Sequence, residues 1–174
     1  MLNFTQGIKR EILSTVPQDD CCKLAYFCAL LDVSGSASSA CVEFASENER
    51  IAEYFFALAE ALDLQPELGG AVYDARSKKE RMRFCFTGEN AKKAYKLYSQ
   101  WNAEEIDEHC AVSYVRGVFL GGGSCTLPHE GVKSGYHLEF VLPNEEKAEK
   151  FCIVFQSLIF YTKVIKRGDR KSVV

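Results

Sequence analysis

An α+β domain built from two copies of one unit is the fold class this sequence predicts, on three observations. Residues 43–55, EFASENERIAEYF, and 139–151, EFVLPNEEKAEKF, share the pattern E-F-x-x-x-N-E-x-x-A-E-x-F, with seven identities at an offset of 96. Residues 22–36, CKLAYFCALLDVSGS, lie over residues 110–124, CAVSYVRGVFLGGGS, at an offset of 88; Cys22 matches Cys110, Tyr26 matches Tyr114, Gly35 matches Gly123 and Ser36 matches Ser124. Each copy also passes through the same succession of apolar periods, helical, then alternating, then helical. The change of offset places eight extra residues in the second copy, around TLPHEGVKSG, where turn formers cluster.

The elements follow in order. A short N-terminal helix spans about residues 4–15. Leu24, Phe27, Leu30 and Leu31, and Val112, Val115, Val118 and Phe119, have the spacing of a leading helix buried on one face. Each leading helix stops at its Gly-Ser. Gly121–Gly123 resemble a phosphate loop only superficially, because no lysine follows and Cys125, Thr126, Leu127 and Pro128 do not open a helix. The expected role of these glycines is a helix end with a left-handed cap. Alternation in CVEFA and YHLEFV gives strands leading through Glu43-Phe44 and Glu139-Phe140. Asn48 and Asn144 stand at the N-cap region of amphipathic helices over 47–62 and 144–160. Basic strands come next, including Arg81, Arg83, Phe84, Cys85 and Phe86, and a helix over 88–100 joins the halves. The repeats thus span about 18–100 and 105–174 of a single domain. Ala25 and Ala29 in the first leading helix, and Ser113 and Gly117 in the second, lie four apart on one face. Small residues there permit close approach of the two helices, with Gly35 and Gly123 at their ends, and predict a pseudo-twofold pair.

The chain has 174 residues, 47% hydrophobic and 26% charged, which suits one domain of ordinary size. No apolar run of 18 residues occurs, and MLNFTQGIKREIL carries charges where a signal peptide is apolar, so a cytoplasmic protein is expected. Eight cysteines show no C-x-x-C spacing, and buried reduced thiols are the expectation. Cys125, His129 and His137 form an incomplete ligand set, and His109 reads as a helix-surface residue, so no metal and no cofactor are expected. Net charge is −3, but RSKKERMR (76–83) and KVIKRGDRK (163–171) each carry five basic residues against one acid. The rest of the chain is strongly acidic, as in a fold with one basic face. Lys78, Lys79, Arg81 and Arg83, with Lys166, Arg167, Arg170 and Lys171, are therefore candidate phosphate contacts, with solvated hairpin tips as the alternative. Aromatic interleaving is too slight to indicate base stacking.

FCALLDVSGS (27–36) and VRGVFLGGGS (115–124) resemble the paired LAGLIDADG helices of homing endonucleases. As a whole the chain is similar to the N-terminal domain of the bacterial WhiA regulators, through Cys21-Cys22, RGVFLGGGS, Pro128 and Tyr136-His137-Leu138-Glu139-Phe140. The resemblance implies a LAGLIDADG homing-endonuclease-like pseudo-dimer, two αββαββα-type repeats whose strands form a curved antiparallel saddle. In active endonucleases an acid precedes the terminal glycine of each helix, and the two acids hold divalent metal at the scissile phosphates. Here those positions are Ser34 and Gly122, and Asp32 faces Leu120 as counterpart, so the resemblance implies no catalysis. It further implies double-stranded DNA as partner, at the nucleoid, and other transcription regulatory proteins. The expected role is transcriptional regulation linked to sporulation and cell division, with a helix-turn-helix domain following KSVV. A protein-interaction module using the acidic helical face is the rival reading, and an active endonuclease a remote one.

Overall fold

The computed structural model describes residues 4–75, 78–127, 135, 137–167 and 170–173. After α1 (Phe4–Leu13), the first repeat runs α2 (Asp20–Ser34), β1 (Gly35–Ala37), β2 (Val42–Ser46), α3 (Glu49–Ala61), β3 (Glu67–Asp74), β4 (Lys79–Phe86) and α4 (Gly88–Gln100). The second runs α5 (Glu108–Gly122), β5 (Gly123–Thr126), β6 (His137–Leu142), α6 (Glu145–Ser157), β7 (Val164–Arg167) and β8 (Arg170–Val173). Two four-stranded antiparallel sheets result, ordered β1-β2-β4-β3 and β5-β6-β8-β7. The α+β pseudo-dimer expected from the repeat is thus the observed architecture.

The shared motif explains why the halves fold alike. In each repeat the glycine after the leading helix pairs with the motif phenylalanine, Gly35 with Phe44 and Gly123 with Phe140. Each of these phenylalanines then meets the last phenylalanine of the motif across the sheet–helix interface: Phe44 and Phe55 lie 4.1 Å apart between centroids, Phe140 and Phe151 4.5 Å. All four are buried, each contributing roughly 1.5–3 kcal/mol by burial. The motif asparagines cap as expected: Asn48 accepts from the backbone N–H groups of Arg50 and Ile51, and Asn144 from that of Lys147. The sixth helix is shorter than 144–160. It ends at Ser157, and Ile159 takes a positive φ of 67° that stops helical continuation. TLPHEGVKSG joins β5 to β6, and its residues 128–134 lie outside the described ones.

Two expectations about the leading helices are corrected. Helix α2 is not buried on one face, since every residue from Ala25 to Asp32 is buried among α3, α4, α5 and the strands, whereas α5 keeps an exposed stripe at His109 and Arg116 on which Val112 and Val115 are only partly covered. Nor do the glycines serve a left-handed cap. The C-cap Gly123 has φ −81° and ψ 146°, and Gly121 and Gly122 remain helical. They are needed for close approach instead. A Cβ at Gly117 would stand 2.6 Å from the Ala29 Cβ, and one at Gly121 2.8 Å from Val33 Cγ1. Ala25, Ala29, Ser113 and Gly117 are all buried, and Gly117 meets Ala29 where α2 packs on α5. Helix α1 crosses to the second sheet, where the Thr5 hydroxyl donates to the Cys125 carbonyl at 3.0 Å and accepts from the Cys125 N–H.

Candidate functional site

Strand alternation decides which basic residues reach the sheet face turned away from the helices. In β4, Phe84 and Phe86 point into the core, so Lys79, Arg81, Arg83 and Cys85 belong to the outer face. Their charges are largely committed within the sheet. Arg83 donates to the Gly69 carbonyl at 2.9 Å and lies 3.5 Å from Glu43. Gly69 makes room, since a Cβ there would stand 2.8 Å from Arg83 Nε. Arg81 faces Asp74 at 3.7 Å and donates to the Ala45 carbonyl, and Lys79 lies 3.3 Å from Glu47. Lys78 is exposed, with φ 56° in the turn, beside Arg76 and Ser77, which lie outside the described residues.

The second basic stretch does not share one face. Lys166 pairs in register with Lys171 and Arg167 with Arg170 across β7 and β8. Lys171 stands two residues from buried Val173 and lies 3.1 Å from Glu145 at the start of α6, so it belongs to the helix side. Lys166 shares that register, and Arg167 and Arg170 occupy the alternate one. Gly168 and Asp169, and the side chains of Arg167 and Arg170, lie outside the described residues.

At the C-terminal ends of α2 and α5, Ser34, Gly35, Gly121 and Gly122 line a cleft of about 530 Å³ together with Lys9 of α1. Gly122 is closed to any side chain, because a Cβ would collide with the Val141 carbonyl oxygen and stand 3.1 Å from Val33 Cγ1. Burial lowers the pKa of Lys9, whose ammonium lies 5.8 Å from the centroid of Phe119. Two residues before Ser34, near the C-terminal end of α2, sits Asp32, 1% exposed. Its carboxylate accepts from Tyr114 at 2.7 Å and from Tyr98, and meets Lys150 at 2.7 Å and Lys147 at 3.2 Å. Burial alone would raise its pKa, but the two ammonium groups and the Tyr98 hydroxyl hold it below the usual carboxylate value. The motif's surviving acid is thus an ion-pair centre linking α2 to α4, α5 and α6.

The N-terminal ends of the same helices carry a group that sequence reasoning missed. Cys21, Cys22, His109 and Cys110 bring their donor atoms within 4.8 Å of one another. Cys21 Sγ lies 3.4 Å from His109 Nε2, and the Cys22 thiol 3.8 Å from the His109 carbonyl. Hydrogen bonding to Cys110 and His109 lowers the Cys21 pKa, the Cys21 contact raises that of His109, and burial pushes the Cys110 thiol up. Buried thiols were expected throughout, yet Cys21 is exposed, and Cys41, Cys85, Cys125 and Cys152 are only partly covered. His109 is exposed as expected, but it has a thiol partner 88 positions away. The signal lay in the repeat. The offset that aligns Cys22 with Cys110 also aligns DDCC (19–22) with DEHC (107–110). Spacing rules for a single ligand-bearing loop cannot detect donors contributed by two repeats. Of the set named from sequence, His137 lies 3.8 Å from Glu139, Cys125 meets Thr5 through its backbone, and His129 lies outside the described residues.

The class this frame defines is the LAGLIDADG pseudo-dimer: I-DmoI, solved in complex with DNA and Mn, superposes with a TM-score of 0.59 over 89% of each chain at 11% identity. Within that class the chain is WhiA-like. Residues 111–174 match the family of the WhiA LAGLIDADG-like domain. The crystal structure of the N-terminal LAGLIDADG domain of DUF199/WhiA superposes with a TM-score of 0.75 over 99% of this chain and 85% of that one, at 17% identity. A probable cell division protein WhiA from Oceanobacillus iheyensis is 26% identical over 183 residues, covering 97% of this chain and 57% of the relative. The chain therefore spans little more than half the length of that curated relative. Among the described residues no helix is long and apolar enough to cross a membrane.

Proposed function

We propose that this is a non-catalytic, DNA-contacting domain of a WhiA-like transcription regulator linked to sporulation and cell division, acting at the nucleoid. The observation that carries the reading is an endonuclease frame whose paired helices end in Ser34 and in Gly122, a position with no room for a side chain. A frame that keeps its two sheets without a carboxylate pair at the helix ends retains a means of lying along DNA without a means of activating water at a phosphate. The contacts are with phosphates, which give affinity and salt dependence but little sequence information. Lys78, Lys79, Arg167 and Arg170 are the leading contacts. Arg81 and Arg83 serve by shaping the sheet that presents them, and Lys166 and Lys171 stand in the helix-side register. Base reading is assigned to a helix-turn-helix elsewhere in the full-length protein.

Titration with duplex DNA at about 50 and 200 mM salt tests this, with binding expected to weaken steeply as salt rises. Arg167→Ala/Arg170→Ala is expected to reduce the slope of log K against log salt by about 2, and Lys166→Ala/Lys171→Ala to reduce it less. Salt-independent binding, or none, would shift the reading to a protein-interaction module. Incubation of plasmid with protein and Mg²⁺ is expected to give no cleavage; cleavage abolished by Asp32→Asn would restore the enzyme.

A further inference from the structure

We infer that Cys21, Cys22, His109 and Cys110 form a tetrahedral site for one Zn(II), which clamps the N-terminal ends of α2 and α5 and so ties the two repeats together. Neighbouring residues on one helix diverge by about 100°, so neither Cys21-Cys22 nor His109-Cys110 makes a site alone. Two helices converging at their N-termini bring both pairs within 4.8 Å. Around a zinc ion with Zn–S of about 2.3 Å and Zn–N of about 2.0 Å, tetrahedral ligand atoms stand roughly 3.5–3.8 Å apart, so only slight contraction is required. The 3.4 Å between Cys21 Sγ and His109 Nε2 already fits. Three sulfurs and one imidazole is a zinc donor set of the closed, structural kind.

The surroundings agree with that charge. Three thiolates around Zn(II) leave the centre net negative, and it lies in the first turn of two helices at once, where the backbone dipoles favour negative charge. Two donors are buried and two exposed, so the metal is shielded on the side of the α2–α5 seam and reachable from solvent on the other. This role is structural and independent of any contact with DNA.

The chain, reduced and incubated with excess Zn(II), then desalted, is analysed for all metals by mass spectrometry. About one zinc per chain is expected. Co(II) in its place should give thiolate charge-transfer bands and the d–d bands of a tetrahedral ion. Cys21→Ser and His109→Ala, which change exposed residues and leave the seam intact, should lose the retained zinc while keeping the wild-type circular dichroism. His109→Cys should keep it, with a Co(II) spectrum shifted toward four thiolates. Added zinc should raise the unfolding midpoint of the wild type and leave Cys21→Ser unmoved. Folded protein that retains no zinc with its thiols reduced, retains iron or copper instead, or binds zinc equally well as Cys21→Ser and His109→Ala would overturn the site.

Discussion

At their C-terminal ends α2 and α5 present Ser34 and Gly122, where the resemblance to endonucleases calls for two acids; at their N-terminal ends the same helices present three thiols and an imidazole. Two residues before Ser34, Asp32 is buried against Lys147 and Lys150. One end of the pair carries a serine and a glycine, and the other brings together donors suited to a softer ion. Ala29 against Gly117 and Val33 against Gly121 fix the helix separation over the C-terminal half of the seam. What differs is the chemistry offered at each terminus. A helix pair can therefore hold one scaffold role while its two ends carry different chemistry.

The ion-pair centre at Asp32 gives the largest effect. Asp32→Ala leaves two ammonium groups facing a buried site without their counter-charge, and should cost about 3–5 kcal/mol in urea unfolding. A loss below about 1 kcal/mol would mean the lysines escape to solvent. The same carboxylate predicts an acid limb. Its pKa is depressed in the folded state, so its stabilisation is present above the unfolded carboxyl value of about 3.9 and is lost as pH falls through the lower folded value. Asp32→Asn should flatten the loss of stability below about pH 4.

Gly122→Asp comes next. A Cβ there meets the Val141 carbonyl and Val33, so the acid that would rebuild a metal site forces the backbone apart, at a cost of about 3 kcal/mol in thermal or urea unfolding. If Gly122→Asp unfolds like the wild type, the C-terminal end is open and its closure is no barrier to a restored site. Gly117→Ala should cost less, about 1–2 kcal/mol, because the neighbouring atom is the Ala29 methyl and α5 can shift by tenths of an ångström.

The repeat was legible in the sequence because its identities are structural necessities. Phe44, Phe55, Phe140 and Phe151 make the sheet–helix contact in each half, and Asn48 and Asn144 cap the helix that carries it. The places of Ser34 and Gly122 at the two helix ends were legible too, since each directly precedes the glycine that the repeat aligns, Gly35 and Gly123. Relations between halves were not legible. Cys21 meets His109 only when two helix starts converge, and Asp32 meets Lys147 and Lys150 only because the lysines of α6 in the second repeat reach α2 of the first. Charge counting also misjudged the basic stretches. It weighs residues but not register, and so grouped Lys171, which pairs with Glu145 on the helix side, with residues of the alternate register.

The smallest effect separates the two members of the emptied end. Ser34 is half-buried at the end of α2 and lines the open cleft, whereas Gly122 is walled by Val141. Ser34→Asp therefore meets no steric barrier of the kind that closes Gly122, and its cost comes from a negative charge at a helix C-terminus, where the backbone dipole is already negative. About 0.3–1 kcal/mol is expected, screened by salt. Measured by urea unfolding at low and high ionic strength, the penalty should shrink as salt rises, while that of Gly122→Asp should persist. Equal, salt-independent penalties at both positions would mean the two helix ends are closed alike, and that the asymmetry between the repeats has another cause.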